Sequence, residues 1–127
     1  MKHIITTNNA PSPIGPYNQA VLTGNMLFTS GQIAVNPLTG ELVLSTIQEE
    51  TKQVMTNLAA VLAAADMNFT HVVKSTIFIS NMDDFAKINE VYGSYFDEIV
   101  APARETVQVA RLPKDVNVEI SVIAVKP

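Results

Sequence analysis

Val118 to Val125 is the most regular stretch of the chain. Val118, Ile120, Val122 and Ala124 alternate with Glu119, Ser121, Ile123 and Val125, the period of two that a strand imposes. Val72 to Ile79 is apolar and largely β-branched, which predicts another strand. Thr106 to Arg111 predicts a third, joined to the last strand by Leu112-Pro113-Lys114-Asp115. Near the start, Val21-Leu22-Thr23 and Met26-Leu27-Phe28-Thr29 flank Gly24-Asn25 and read as a hairpin. Pro11-Ser12-Pro13 and Gly15-Pro16 mark an extended loop before it, and Asn36-Pro37-Leu38-Thr39-Gly40 a turn after it.

The period changes from two to helical between these stretches. Ile47, Val54, Leu58, Val61, Leu62 and Ala65 fall on one broad helical face. Ser45/Gln48 and Thr46/Glu49 both have capping-box spacing at its start, and Asp66-Met67-Asn68 marks its end. Phe85, Ile88, Val91, Tyr92, Tyr95 and Phe96 predict a second helix after the acceptors Asn81, Asp83 and Asp84, with a break at Pro102. The coarse order is β-β-β-α-β-α-β-β. One sheet with both helices on one face accounts for it, and leaves the other face bare and apolar.

Composition sharpens this picture at one point. Charged residues make up only 16% of the chain, against about 25% in an average globular protein. In so small a domain, that shortage points to surface buried by other subunits. The length, 127 residues, suits a single domain over residues 1–127. The net charge of −4 and the scattered eight basic residues disfavour nucleic acid as a partner. Cysteine is absent, which excludes disulfides, thiolate nucleophiles and zinc-thiolate sites. The two histidines, His3 and His71, have no ligand spacing, so no metal site is expected. No apolar run suggests a signal peptide or a membrane span, so a cytoplasmic location is expected.

Several residues stand out against the pattern. Glu119 interrupts a nearly apolar strand; on a dry face its carboxyl would be raised in pKa and suited to general acid/base work. Taken alone, a solvated residue near a strand end is the plainer reading. Arg104 follows Pro102-Ala103, which fix the backbone beneath a fork-shaped donor suited to carboxylates. An ordinary surface ion pair is the alternative. Tyr17, after Gly15-Pro16, offers either a ligand-facing hydroxyl or a ring packed on the core. At Ser30-Gly31, backbone amides have room to cradle an anion, or simply turn the strand end. Asn89, among apolar neighbours on the second helix, is either ligand-facing or merely exposed.

In order, Ile14-Gly15-Pro16-Tyr17, Phe28-Thr29-Ser30-Gly31-Gln32-Ile33, Asn89-Glu90-Val91-Tyr92, Pro102-Ala103-Arg104, Val109-Ala110-Arg111-Leu112-Pro113 and Val118-Glu119-Ile120 resemble the Rid family (YjgF/L-PSP), in particular its RidA branch. The resemblance runs nearly end to end. It implies a chorismate-mutase-like α+β fold: one mixed six-stranded sheet with two helices on one face, assembled as a homotrimer with sites between subunits. It also implies hydrolysis of 2-aminoacrylate/2-iminopropanoate and 2-iminobutanoate to 2-keto acids and ammonia, without a cofactor. Such intermediates leave pyridoxal-phosphate-dependent serine and threonine dehydratases. On this resemblance Arg104 grips the substrate carboxylate, Ser30 and Gly31 add hydrogen bonds, Glu119 activates water, and Tyr17 and Asn89 shape the pocket from different subunits.

The chain departs from the family in one place. After Pro-Ala-Arg the family usually carries a small residue, where this chain has Glu105. Strand alternation directs Glu105 away from Arg104. Bent toward it, Glu105 would compete with the substrate and favour a carboxylate-binding regulatory module without turnover. Thr106 stands where cysteine is frequent. An endoribonuclease or translation inhibitor is a further reading associated with the family, and the acidic charge weighs against it.

Overall fold

The computed structural model describes residues 1–127. Six strands, β1 (Lys2–Ile5), β2 (Ala20–Thr23), β3 (Met26–Thr29), β4 (Val72–Ile79), β5 (Ala103–Gln108) and β6 (Val118–Val125), form one sheet in the order β1-β2-β3-β6-β4-β5. All neighbours are antiparallel except β4 and β5. The fold is therefore α+β with one mixed sheet. Helices α1 (Ile47–Ala64) and α2 (Phe85–Gly93) both pack on one face.

Topology follows from chain connectivity. Parallel strands cannot be joined by a tight turn and need a crossover. α2 is the crossover between β4 and β5, and so lies over the start of β5. α1 connects β3 to β4, leaving a gap that β6 fills antiparallel to both. The gap-filling strand is the best buried, which is why β6 shows the cleanest alternation: Val118, Ile120, Val122 and Ala124 face the helices and are buried.

The hairpin between β2 and β3 turns at Gly24, where φ is 59°. A side chain rarely tolerates that conformation, and glycine at the first central position is the known solution. α1 starts at Thr46, whose hydroxyl accepts from the Glu49 amide at 3.1 Å, so the Thr46/Glu49 spacing marks the N-cap rather than Ser45/Gln48. The predicted second helix is shorter than its apolar pattern. Asn81 caps a single 3-10 turn, α2 ends at Gly93, and Tyr95 and Phe96 pack beyond it against Phe69.

One boundary is corrected. The strand expected over Thr106–Arg111 runs from Ala103 to Gln108. Pairing with β4, at Lys74↔Ala103 through Ile79↔Gln108, sets its extent. Arg104 is consequently inside the strand, opposite the buried Ser75.

The helix-free face is largely apolar, as expected from the pattern. Ile4, Met26, Phe28 and Val107 are all exposed there, beside Ile123 and Val125.

Candidate active site

Two side-chain clusters emerge, on opposite faces of the sheet. The first is built on β5 and α2. Phe85, Asn89 and Tyr92 stand at i, i+4 and i+7 of α2 and share one helical face. That face covers Arg104, whose guanidinium carbon lies 5.6 Å from the Phe85 ring centre and 5.4 Å from that of Tyr92. Its Nη1 donates to the Asn89 side-chain oxygen. The guanidinium is thus stacked and oriented but remains exposed, with donors free for a carboxylate. Tyr92 is buried beneath it and donates to Ser75 Oγ at 2.8 Å; burial raises the pKa of its phenol. Thr106, two residues along β5 and so on the same face, has a buried hydroxyl with no partner. A cavity of about 460 Å³ opens here, lined by Asn89, Tyr92, Phe96 and Arg104 among others.

Glu105 does not enter this cluster. It points to the opposite face, where its carboxylate takes a hydrogen bond from Lys74 Nζ at 3.2 Å. The competition with substrate that would have favoured a non-catalytic module is absent within the chain.

The second cluster surrounds Glu119 on the helix-free face. Between the pairs Phe28↔Ile123 and Gln32↔Ile120, one side holds three residues, Thr29 to Gly31, and the other two, Ser121 and Val122. The extra residue is a β-bulge, a device common beside active sites. The Thr29 hydroxyl accepts from the Val122 amide at 2.9 Å, satisfying a donor the bulge would strand. The bulge sets Gly31 directly under Glu119. A Cβ on Gly31 would come within 2.7 Å of Glu119 Cδ and 2.9 Å of Cγ, so only glycine leaves the carboxylate room. Half-burial raises the Glu119 pKa by desolvation.

The remaining predicted residues sit around Gly31. The Ser30 hydroxyl donates to the Asn18 carbonyl at 2.6 Å, and its amide donates to the Gln19 carbonyl. Ser30 therefore ties the strand end to the loop that carries Tyr17. The Gly31 amide has no partner in the chain and is the free donor at this spot. Tyr17 is exposed, its ring lying against Gly15. The loop holding it is anchored by buried Gln19, which donates to the carbonyls of Thr7, Ala10 and Pro11 and accepts from the Thr7 amide.

Tyr17, Ser30, Gly31 and Glu119 are thus brought together, as are Asn89 and Arg104. The two groups are not brought together within one chain. Register explains why: Arg104 pairs with Ser75, on the helix face, whereas Glu119 pairs with Phe78, on the other. Sequence reasoning did not single out Gln19 or the lysine at 114, which lines a second cavity beside Gly31. Two signals were available for Lys114, a position in a proline-led turn and the absence of a nearby acid at helical spacing, but neither is specific.

The chain is similar to known proteins over nearly its whole length. Residues 7–126 match the family model described as Endoribonuclease L-PSP. A RutC family protein of Pyrococcus horikoshii is 52% identical over 126 residues, covering 99% of each chain. The 2-iminobutanoate/2-iminopropanoate deaminase of Escherichia coli is 48% identical over 128 residues, again covering 99% of each. The crystal structure of Escherichia coli TdcF with bound serine superposes with a TM-score of 0.92 at 49% identity, covering 98% of this chain and 99% of that one.

Proposed function

Because the chain belongs to the Rid (YjgF/L-PSP) family, we propose that it hydrolyses small 2-imino acids and their enamine tautomers to 2-keto acids and ammonia, at sites shared between the subunits of a homotrimer. The observation that carries this reading is the Glu119 carboxylate, desolvated and seated over a glycine that has a free amide.

The chemistry asks for little. A protonated imine is already electrophilic, so positioning and one base suffice. Arg104 of one subunit grips the substrate carboxylate, held in place by Asn89 and the two rings. Glu119 of the next subunit takes a proton from water as its oxygen bonds to the imine carbon. The same proton then passes to nitrogen, the C–N bond breaks as Glu119 takes the remaining hydroxyl proton to give the keto acid, and that proton leaves with ammonia as ammonium. The Gly31 amide donates to substrate oxygen, and Tyr17 closes the pocket. A raised pKa suits Glu119 to both halves of this transfer. No step calls on a cofactor.

The trimer is supported by the exposed apolar sheet face and the low share of charge. Serine and threonine dehydratases are the enzymes whose released intermediates fit the site. A cytoplasmic location fits that role, and no helix of the chain is long and apolar enough to cross a membrane.

The test couples the purified protein to threonine dehydratase and traps residual imine with semicarbazide. Wild type should lower the trapped yield, and Arg104→Ala should not. Equal yields with the two proteins would refute the catalytic reading.

A further inference from the structure

The cavity beside Gly31 extends well past the residues assigned to chemistry. It has a volume of about 290 Å³. That is more than the six non-hydrogen atoms of 2-iminopropanoate require. Tyr17 and Gly31 form its near wall, so it adjoins the proposed reaction centre directly. The lining also includes Ile14, Ile33 and Val35, beside the polar Ser12, Gln19 and Gln32.

One charged residue borders this cavity, Lys114. Its position is built rather than incidental. Lys114 and Asp115 both adopt left-handed backbone, with φ of 56° and 55°, in a turn after Pro113. For residues other than glycine that conformation is strained and persists only where the surroundings impose it. Here buried Leu112 and Val116 anchor the two ends of the turn. Arg111 grips Asp115 with two hydrogen bonds of 2.7 and 2.9 Å. The pairing occupies the nearest acid, and Lys114 forms no ion pair of its own. Lys114, exposed and without an ion pair, thus borders a cavity that has no acidic lining residue.

We propose that this cavity is a side-chain subsite, and that Lys114 makes it select 2-imino and 2-keto acids whose side chain ends in an anionic group. The inference rests on the deaminase reading for the placement of the reacting carbon near Glu119. With that carbon above Gly31, the α-carboxylate turns toward Arg104 and the side chain has the cavity as its path. A chain of two methylenes lies against Ile33 and Val35, and a terminal carboxylate meets the ammonium. One charge-assisted hydrogen bond of this kind is worth about tenfold in affinity.

Binding of stable keto acids tests the subsite without requiring turnover. Calorimetric titration of the assembled protein would compare 2-oxoglutarate with 2-oxopentanoate, which has the same carbon chain but no terminal carboxylate. Wild type should bind 2-oxoglutarate about tenfold more tightly. Lys114→Met should erase that preference while leaving 2-oxopentanoate binding unchanged, and Lys114→Arg should restore it. A wild type with no preference, a preference that survives in Lys114→Met, or no binding of either acid would each overturn the subsite. If the preference holds while imine trapping shows no acceleration, the subsite stands and the deaminase reading falls.

Discussion

At the residue scale, Glu119 carries a conflict between stability and use. Burial lifts its pKa, so the ionised form that a base requires is the form the fold disfavours. The sign of the linkage follows. An acid whose folded pKa exceeds its unfolded value holds its proton more tightly when folded, so stability falls as pH rises through the interval between the two. At neutral pH Glu119 is thus a destabilising charge. Glu119→Gln should raise the melting temperature at pH 7, and the gap should shrink as pH falls and the wild-type carboxyl protonates. In the proposed reaction the same pKa governs catalysis: the acid limb of the wild-type kcat/KM profile should lie above the ordinary glutamate value of 4.5. Melting curves of both proteins between pH 4 and 8 check the first point, and a gap independent of pH would contradict it. Gly31 belongs to the same conflict, because any side chain there would displace the carboxylate it supports.

At the scale of elements, buried polar side chains pin the segments that regular hydrogen bonding does not reach. Glu50, wholly buried on α1, accepts from the amides of Asn117 and Val118 and from the Asn117 side chain at 2.7 to 3.2 Å. These bonds fix the entry into β6, two residues before Glu119. Asn57 on the same helix donates to the carbonyls of Ile33 and Val35 and holds the wall of the cavity beside Gly31. Glu50→Ala leaves those donors buried and unpaired, and should cost about 3 kcal/mol, or roughly 10 °C in melting temperature. Glu50→Gln should cost less. Urea denaturation measures both, and a loss below about 1 kcal/mol for Glu50→Ala would remove Glu50 from this role. The same residues mark where the sequence stopped being legible. β4, β6, the hairpin and the α1 cap could be read because apolar period and turn chemistry are local properties. Glu50, Gln19 and Asn57 could not, since a polar residue on a helix or loop reads as solvated until its buried partners, distant in sequence, are known. The start of β5 was hidden for a related reason. Ala103-Arg104-Glu105 has no apolar alternation, and only pairing with β4 makes it a strand.

At the scale of the whole molecule, the decisive geometry is that Arg104 and Glu119 occupy opposite faces of one sheet. Candidate residues were legible one by one, but the face each occupies depends on register, and register is a property of the folded sheet. Within a chain, the proposed carboxylate grip and the proposed base cannot serve one small substrate. In the proposed homotrimer, assembly through the apolar face that carries Phe28, Val107 and Ile123 would remove that face from water and bring one subunit's Glu119 toward another's edge strand. This arrangement has a consequence that a site within one chain does not share. Arg104→Ala and Glu119→Ala homotrimers should each be inactive. When the two are unfolded together and refolded at equal concentration, chains mix at random. A site is then intact when an Arg104-bearing subunit meets a Glu119-bearing neighbour in the right order, which occurs at about one site in four. Such mixtures should recover about a quarter of wild-type activity, and refolding each variant alone should recover none. Were the two residues to act within one chain, every chain in the mixture would still lack one of them. Activity would then stay at the level of the separate variants, and the shared site would be excluded.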